Sequence, residues 1–210
     1  MPREAKQYCT VLGGPNGSGK STIFRYLQPP GDFINTDVVA RGINPVSPES
    51  ASMAAGRWVL NRLDQVIAAR QNFVYETTLS SHQSLALMSR CRSVEYEVSL
   101  VFVALNSVDL NVRRVAERVA AGGHHIPEHV IRRRYETAFS RLPDAIRIAD
   151  RVLLFDNSSV EPAMLMSIEF GNIAENHLDE AFSLHMRLAE AVGQALDISS
   201  DMVLKAARYS

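Results

Sequence analysis

The run GPNGSGKST, from Gly14 to Thr22, constrains the fold of this chain more than any other feature in it. It satisfies the pattern G-x-x-x-x-G-K-[ST], whose physical meaning depends on a strand before it and a helix after it. Both are present. Tyr8 to Leu12 is a short apolar run rich in β-formers, Gly13-Gly14 turns it, and Lys20 to Leu27 reads as an amphipathic helix. In such a loop the glycines let consecutive backbone N–H groups point inward at phosphate oxygens, and the helix N-terminus adds its dipole. The expected ligand is ATP with Mg²⁺, held by Gly14, Pro15, Asn16, Gly17, Ser18, Gly19, Lys20, Ser21 and Thr22. Lys20 is expected to bridge the β- and γ-phosphates and Ser21 to ligate the metal.

The rest of the chain alternates strands with helices. Pro29-Pro30-Gly31 stops the first helix, and Phe33-Ile34-Asn35 makes a strand that delivers Asp37 at its end. Ser47-Pro48 starts a long helix running to about Gln71. Phe73-Val74-Tyr75 is a strand ending at Glu76-Thr77-Thr78, and a short helix through Leu85 and Met88 leads to the longest apolar strand, Tyr96 to Leu105. Helices at Asp109–Ala121 and from Pro127 onward form a basic hairpin, broken at Gly122-Gly123. Arg151 to Phe155 reads as the last strand, and two amphipathic helices follow from Glu175. Helical crossovers between strands imply a parallel sheet covered on both faces. The expected fold is therefore an α/β P-loop NTPase, a three-layer α/β/α sandwich whose mostly parallel sheet carries a basic helical flap and C-terminal helices. One domain spans 1–210, with a nucleotide-binding core at 7–160 and a helical extension at 161–210.

Composition narrows the function. Lys+Arg 22 against Asp+Glu 23 leaves a formal net charge of -1, so no overall basic field exists to collect nucleic acid or anionic membrane. The N-terminus is too polar for a signal peptide and no apolar run approaches the ~20 residues of a spanning helix, which points to the cytoplasm. Cys9 and Cys91 lie in separate apolar segments and read as buried small hydrophobes.

Several side chains could carry chemistry beside the loop. Asp37, at a strand end, is either the base that takes a proton from an attacking hydroxyl or a helix cap. Glu76 is either an acid near Mg²⁺ or a solvated strand end. Val152 to Asp156 has the apolar-run-plus-Asp look of a Walker B strand but arrives last in the chain. Asn157-Ser158 after it is an adenine-edge loop or an ordinary turn. Of six arginines in the hairpin, Arg114 and Arg118 share a helix face and Arg134 comes from the facing helix, so closure about Gly122-Gly123 would gather cations over a transferring phosphate. His124-His125 is a hinge pair that contacts substrate or packs.

These residues resemble the zeta-toxin family of P-loop kinases, especially its short members. The resemblance rests on GPNGSGKST, Asn35-Thr36-Asp37, Glu76-Thr77-Thr78-Leu79-Ser80, and the stretch from Arg114 through Arg118 and Gly122-Gly123-His124-His125-Ile126-Pro127 to Arg132-Arg133-Arg134-Tyr135. It implies a kinase that phosphorylates the 3′-hydroxyl of the sugar in UDP-N-acetylglucosamine, and, in larger members, an antitoxin protein that blocks the ATP site. It also implies Lys20 on phosphate, Asp37 as base, Glu76, Thr77 or Thr78 on substrate or Mg²⁺, and an arginine of the Arg114/Arg118 helix on the transferring phosphate. Larger members place a second arginine just before a proline, where this chain has His124-His125-Ile126 before Pro127. That role is vacant or falls to Arg134. Other acceptors (a nucleotide, nucleoside or different sugar) stay open, as does a nucleotide-dependent ATPase or binding module acting on a protein partner.

Overall fold

The computed structural model describes residues 6–123 and 125–206. Strand β1 (Tyr8–Gly13) leads through the P-loop into helix α1 (Lys20–Leu27), followed by β2 (Asp32–Asn35) and α2 (Thr36–Ile43). A short 3-10 turn at Pro48–Ala51 precedes α3 (Ser52–Ala68), and then come β3 (Phe73–Thr77), α4 (His82–Ser93), β4 (Glu97–Ala104), α5 (Val108–Ala120), α6 (Glu128–Ile148) and β5 (Arg151–Asp156). Strands β6 (Ala163–Glu169) and β7 (Asn172–Asn176) and helices α7 (Ser183–Leu196) and α8 (Ser200–Lys205) complete it. The sheet has seven strands in the order β2-β3-β1-β4-β5-β6-β7. The first five are parallel and the last two antiparallel.

Alternation along each strand divides the core between the two faces. Val11, Phe73, Leu100, Phe102, Val152 and Leu154 face a large core completed by α3, α4, α6 and α7. Their chain neighbours Leu12, Val74, Val101, Val103 and Phe155 face Ile23 of α1 and its partners Phe24 and Leu27. The α5–α6 hairpin has a small core of its own, Val115, Ile126 and Ile131. Only the second half of α6, from Tyr135, is sunk in the main core.

The sequence reading needs three corrections. Arg151 to Phe155 is not the last strand: β6 and β7 extend the sheet, so 161–210 begins as a hairpin and turns helical only at Ser183. Its turn, Phe170-Gly171, has φ of +47° and +79°, the left-handed pair of a two-residue hairpin, but without the Asn-Gly or Asp-Gly chemistry that announces one. The Lys6 ammonium and the Arg151 guanidinium lie over the Phe170 ring at 5.7 and 5.5 Å, which secures an aromatic in that position. Second, a helix, α2, does follow β2, but it begins at Thr36, so Asp37 lies inside it and is not the cap that the sequence reading offered as an alternative. Third, Ser47-Pro48 starts only the 3-10 turn, and the long helix begins at Ser52.

Candidate functional site

Parallel register sets Leu12, Glu76 and Asn35 in one row across β1, β3 and β2. The P-loop, the β3–α4 turn and the start of α2 therefore open along one edge. β1 lies between β3 and β4, the point where successive connections leave in opposite directions and a crevice forms beyond the strand ends.

The loop is shaped as a phosphate cradle. Gly14, Gly17 and Gly19 have φ of +141°, +78° and +86°. A Cβ on Gly14 would stand 2.1 Å from the Val103 carbonyl oxygen, and one on Gly19 1.9 Å from Asn157 Nδ2, so neither position admits a side chain. Among the described residues, the amides of Gly17, Gly19 and Ser21 have no acceptor, and the buried Ser18 Oγ has no hydrogen-bond partner. Unspent N–H groups at a helix N-terminus fit the oxygens of a phosphate chain.

Lys20 is 7% exposed and folds back over the loop. Its Nζ donates to Gly14 O at 2.8 Å and Pro15 O at 3.1 Å, and lies 3.8 Å from Glu76 Oε1. Burial pulls the Lys20 pKa below the ordinary lysine value; Glu76 and Asp37 oppose that, while Arg118 and Arg134 add to it. Burial likewise lowers Arg134, with Asp37 opposing and Arg133 adding. Three cations and two carboxylates thus share one field. All five line a cleft of about 350 Å³, whose far wall carries Tyr75, Thr77, Thr78, Ser80 and Ser81.

Asp37 is not a helix cap. That position belongs to Asn35, whose Oδ1 accepts from Asp37 N at 2.7 Å and Val38 N at 3.0 Å. The cap sets Asp37 in the first turn of α2 on the rim of the cleft. A second lobe of about 270 Å³ continues beyond it, between α2 and the end of α5.

The arginines separate by position. Arg118 and Arg134 line the cleft, and Arg134 NH1 donates to Asn16 Oδ1 at 3.1 Å. Arg114 turns the other way: NH1 donates to Asn157 O at 2.8 Å and NH2 to Ser158 O at 3.3 Å. Arg113 pairs with Glu117, and Arg132 joins Asp109 to Glu128 across the hairpin. His124 lies outside the described residues. Gly122, at φ +85°, ends α5, where its N–H bonds Val119 O and that of Gly123 bonds Arg118 O, so the glycine pair is a helix terminus.

Asn157 braces the loop from behind, its Nδ2 donating to Ser18 O at 2.8 Å. Asp156 ends a strand separated from β1 by β4, and its Oδ1 accepts from Ser158 N at 2.8 Å. That is a turn contact. Glu76, on the strand adjoining β1, is the acid that faces the loop. No cluster of three His, Cys, Asp or Glu suited to a metal occurs among the described residues, so a cation here would need Ser21, Glu76 and phosphate oxygens together.

Sequence reasoning missed Asn111. Fully buried on the apolar side of α5, it donates from Nδ2 to Asn16 O at 2.7 Å and ties the hairpin to the loop. A lone Asn between Val108, Val112 and Val115 was the available signal. Tyr75, Ser81 and Arg41 carried none, and Ser80 entered only as the end of the stretch Glu76-Thr77-Thr78-Leu79-Ser80.

Residues 10–140 match the AAA domain family. An uncharacterized protein of Haemophilus influenzae is 34% identical over 136 residues, which is 64% of this chain and 94% of that relative. The solved structure of AvrRxo1-ORF1:-ORF2 with ATP aligns over 97% of this chain and 80% of its own at 14% identity and a TM-score of 0.63. The PezAT chromosomal toxin-antitoxin system of Streptococcus pneumoniae aligns over 77% of this chain and 75% of its own at 17% identity and a TM-score of 0.55. At those identities the likeness is one of fold, an α/β P-loop NTPase fold. With well over half its length matched and the phosphate cradle in place, this chain belongs to the AAA domain family of P-loop proteins.

Proposed function

We propose that the chain is an ATP-dependent small-molecule kinase of the zeta-toxin kind, which moves the γ-phosphate of Mg-ATP onto a sugar hydroxyl, with UDP-N-acetylglucosamine the first acceptor to test. The observation that carries this reading is the convergence of Lys20, Asp37, Glu76, Arg118 and Arg134 on one cleft. Phosphoryl transfer asks a protein for positioning, a base and compensating cations, and little else.

In this reading the free amides of the loop hold the phosphates, and Lys20 exchanges the Gly14 and Pro15 carbonyls for phosphate oxygens. Ser21 and Glu76 would hold Mg²⁺, which would supply charge neutralisation to the phosphate chain. Asp37 takes the proton of the acceptor hydroxyl as its oxygen bonds phosphorus and the bond from phosphorus to the β-bridging oxygen breaks, releasing ADP. Arg118 and Arg134 face the charge on the moving group. Arg114, tied to the 157–158 loop with Asn157, belongs to the nucleotide end rather than the transfer step. Thr77, Thr78 and His124 orient the acceptor. The structures of AvrRxo1-ORF1:-ORF2 and PezAT each hold two components, the latter a toxin-antitoxin system, which supports looking for an antitoxin-like partner here. Among the described residues no helix is long and apolar enough to cross a membrane; a cytoplasmic location belongs to the proposal.

The test is transfer of labelled γ-phosphate to UDP-N-acetylglucosamine and to a panel of nucleosides, nucleotides and sugars. A new phosphate ester on one acceptor is expected. Tight ATP binding with no transfer to any of them would replace the kinase by a nucleotide-dependent binding module.

A further inference from the structure

The lobe beyond Asp37 differs from the main cleft in what it offers a ligand. It shares Asp37, Ser52 and Arg118 with that cleft and adds Arg41. Arg41 stands four residues after Asp37 on α2, about 6 Å along the axis and on the same face. Its Nε donates to Asp37 O at 3.3 Å, which turns the side chain toward the rim. Among the described residues no carboxylate pairs with Arg41 and its terminal amino groups have no acceptor. The backbone donors of the opposite wall are spent, because the N–H groups of Ala121, Gly122 and Gly123 bond Glu117 O, Val119 O and Arg118 O. Arg41 is therefore a charged donor that its own helix leaves unspent, with the Arg118 side chain also lining the lobe; among the described residues that line it, Asp37 is the carboxylate.

We propose that this lobe is the acceptor's anion subsite, with Arg41 the residue that selects acceptors carrying a phosphate or a carboxylate. An acceptor whose hydroxyl reaches Asp37 would then turn an anionic group toward the Arg41 guanidinium beside it. A hexose phosphate or a sugar acid carries both groups on one small molecule. Guanidinium binds both anions through paired, charge-assisted hydrogen bonds, and an acceptor with a neutral group leaves that charge without a partner. The inference rests on the kinase reading for what happens to the acceptor, and not for its binding.

Binding is therefore the readout. Calorimetry, with a non-hydrolysable ATP analogue and Mg²⁺ present, compares glucose with glucose 6-phosphate, N-acetylglucosamine with its 1-phosphate, and glucose with gluconate. The charged member of at least one pair is expected to bind about tenfold or more tightly, and the phosphate and carboxylate arms report which anion is preferred. Arg41→Ala should reduce the charged member to the level of the neutral one while the analogue binds as before, and Arg41→Lys should keep part of the preference. The melting curve of each variant verifies its fold, and Arg41→Gln replaces Arg41→Ala if that variant fails to fold. Equal binding of charged and neutral members, absence of binding by every charged compound, or a preference that survives Arg41→Ala and Arg41→Gln overturns the proposal. A preference that depends on Arg41 without phosphate transfer to any compound leaves the subsite standing and removes the kinase reading.

Discussion

Replacing Asp37 by asparagine separates chemistry from folding, because the structure assigns the helix cap to a different residue. Asn35 accepts two backbone N–H bonds at 2.7 and 3.0 Å, and Asp37 contributes its own N–H to one of them. The Asp37 carboxylate can therefore be lost without touching either bond. What the helix forfeits is an exposed negative charge in its first turn, on the order of 0.3–1 kcal/mol. If the carboxylate is the general base, transfer should fall by about 10²- to 10⁴-fold, roughly 3–5 kcal/mol on the barrier. The two magnitudes differ enough to be told apart on one sample. Asn35→Ala is the complementary control: it should cost about 1–2 kcal/mol of stability by removing the cap. The assay follows γ-phosphate transfer and thermal unfolding for both variants, with ATP affinity measured alongside. Asp37→Asn protein that turns over at the wild-type rate would refute the assignment, as would a drop in transfer fully explained by lost ATP binding.

Lys20→Ala should abolish the thermal protection given by ATP while the ligand-free protein still folds, since the side chain's hydrogen bonds go to carbonyls of its own loop; ATP protection equal to wild type would contradict this. Arg134→Ala should lower transfer with little change in ATP affinity, and Arg114→Ala should do the reverse, a contrast read from kcat and nucleotide affinity on the two proteins. Stability should also carry a histidine signature. Burial lowers the His185 pKa, opposed by Asp156 and Asp179, and its Nδ1 accepts from Asp179 N at 3.0 Å, so the folded state holds the neutral ring. Between its folded value and the unfolded value of about 6.5 the unfolded chain binds more protons, so stability rises with pH across that window and is lost on acidification through it. His185→Gln should flatten this part of the denaturation profile.

The central part of the fold was legible because local chemistry and global topology agree there. The span Lys20–Leu27 is helical as the amphipathic pattern indicated, and β1, β3, β4 and β5 fall where apolar runs meet glycine or polar stops. Legibility failed where side chains outside the segment decide its conformation. The Phe170-Gly171 turn depends on cations from residues 6 and 151, and β6 has four consecutive buried residues, so no alternation marks it as a strand. Within the site, the gathering of the P-loop, Asp37 and Glu76 along the carboxyl edge of the sheet followed from sequence order, although Asp37 stands in the first turn of α2 rather than on the strand. The divergence of Arg114 from Arg118 did not, because the two lie on one helix face and only the position of the 157–158 loop sends one guanidinium away.

Asn16 is held twice from outside the P-loop, at its carbonyl by Asn111 of α5 and at its side-chain oxygen by Arg134 of α6. On the proposed kinase reading, a single residue of the phosphate cradle is thereby a mechanical joint between ATP and both arms of the hairpin beside the acceptor. Linkage makes such a joint symmetrical: whatever factor by which ATP tightens acceptor binding, the acceptor must tighten ATP by the same factor. Cutting the joint at Asn111, which holds the loop from behind without lining the cleft, would lower both factors together. The hairpin, with its private core of Val115, Ile126 and Ile131, is built to answer as one piece.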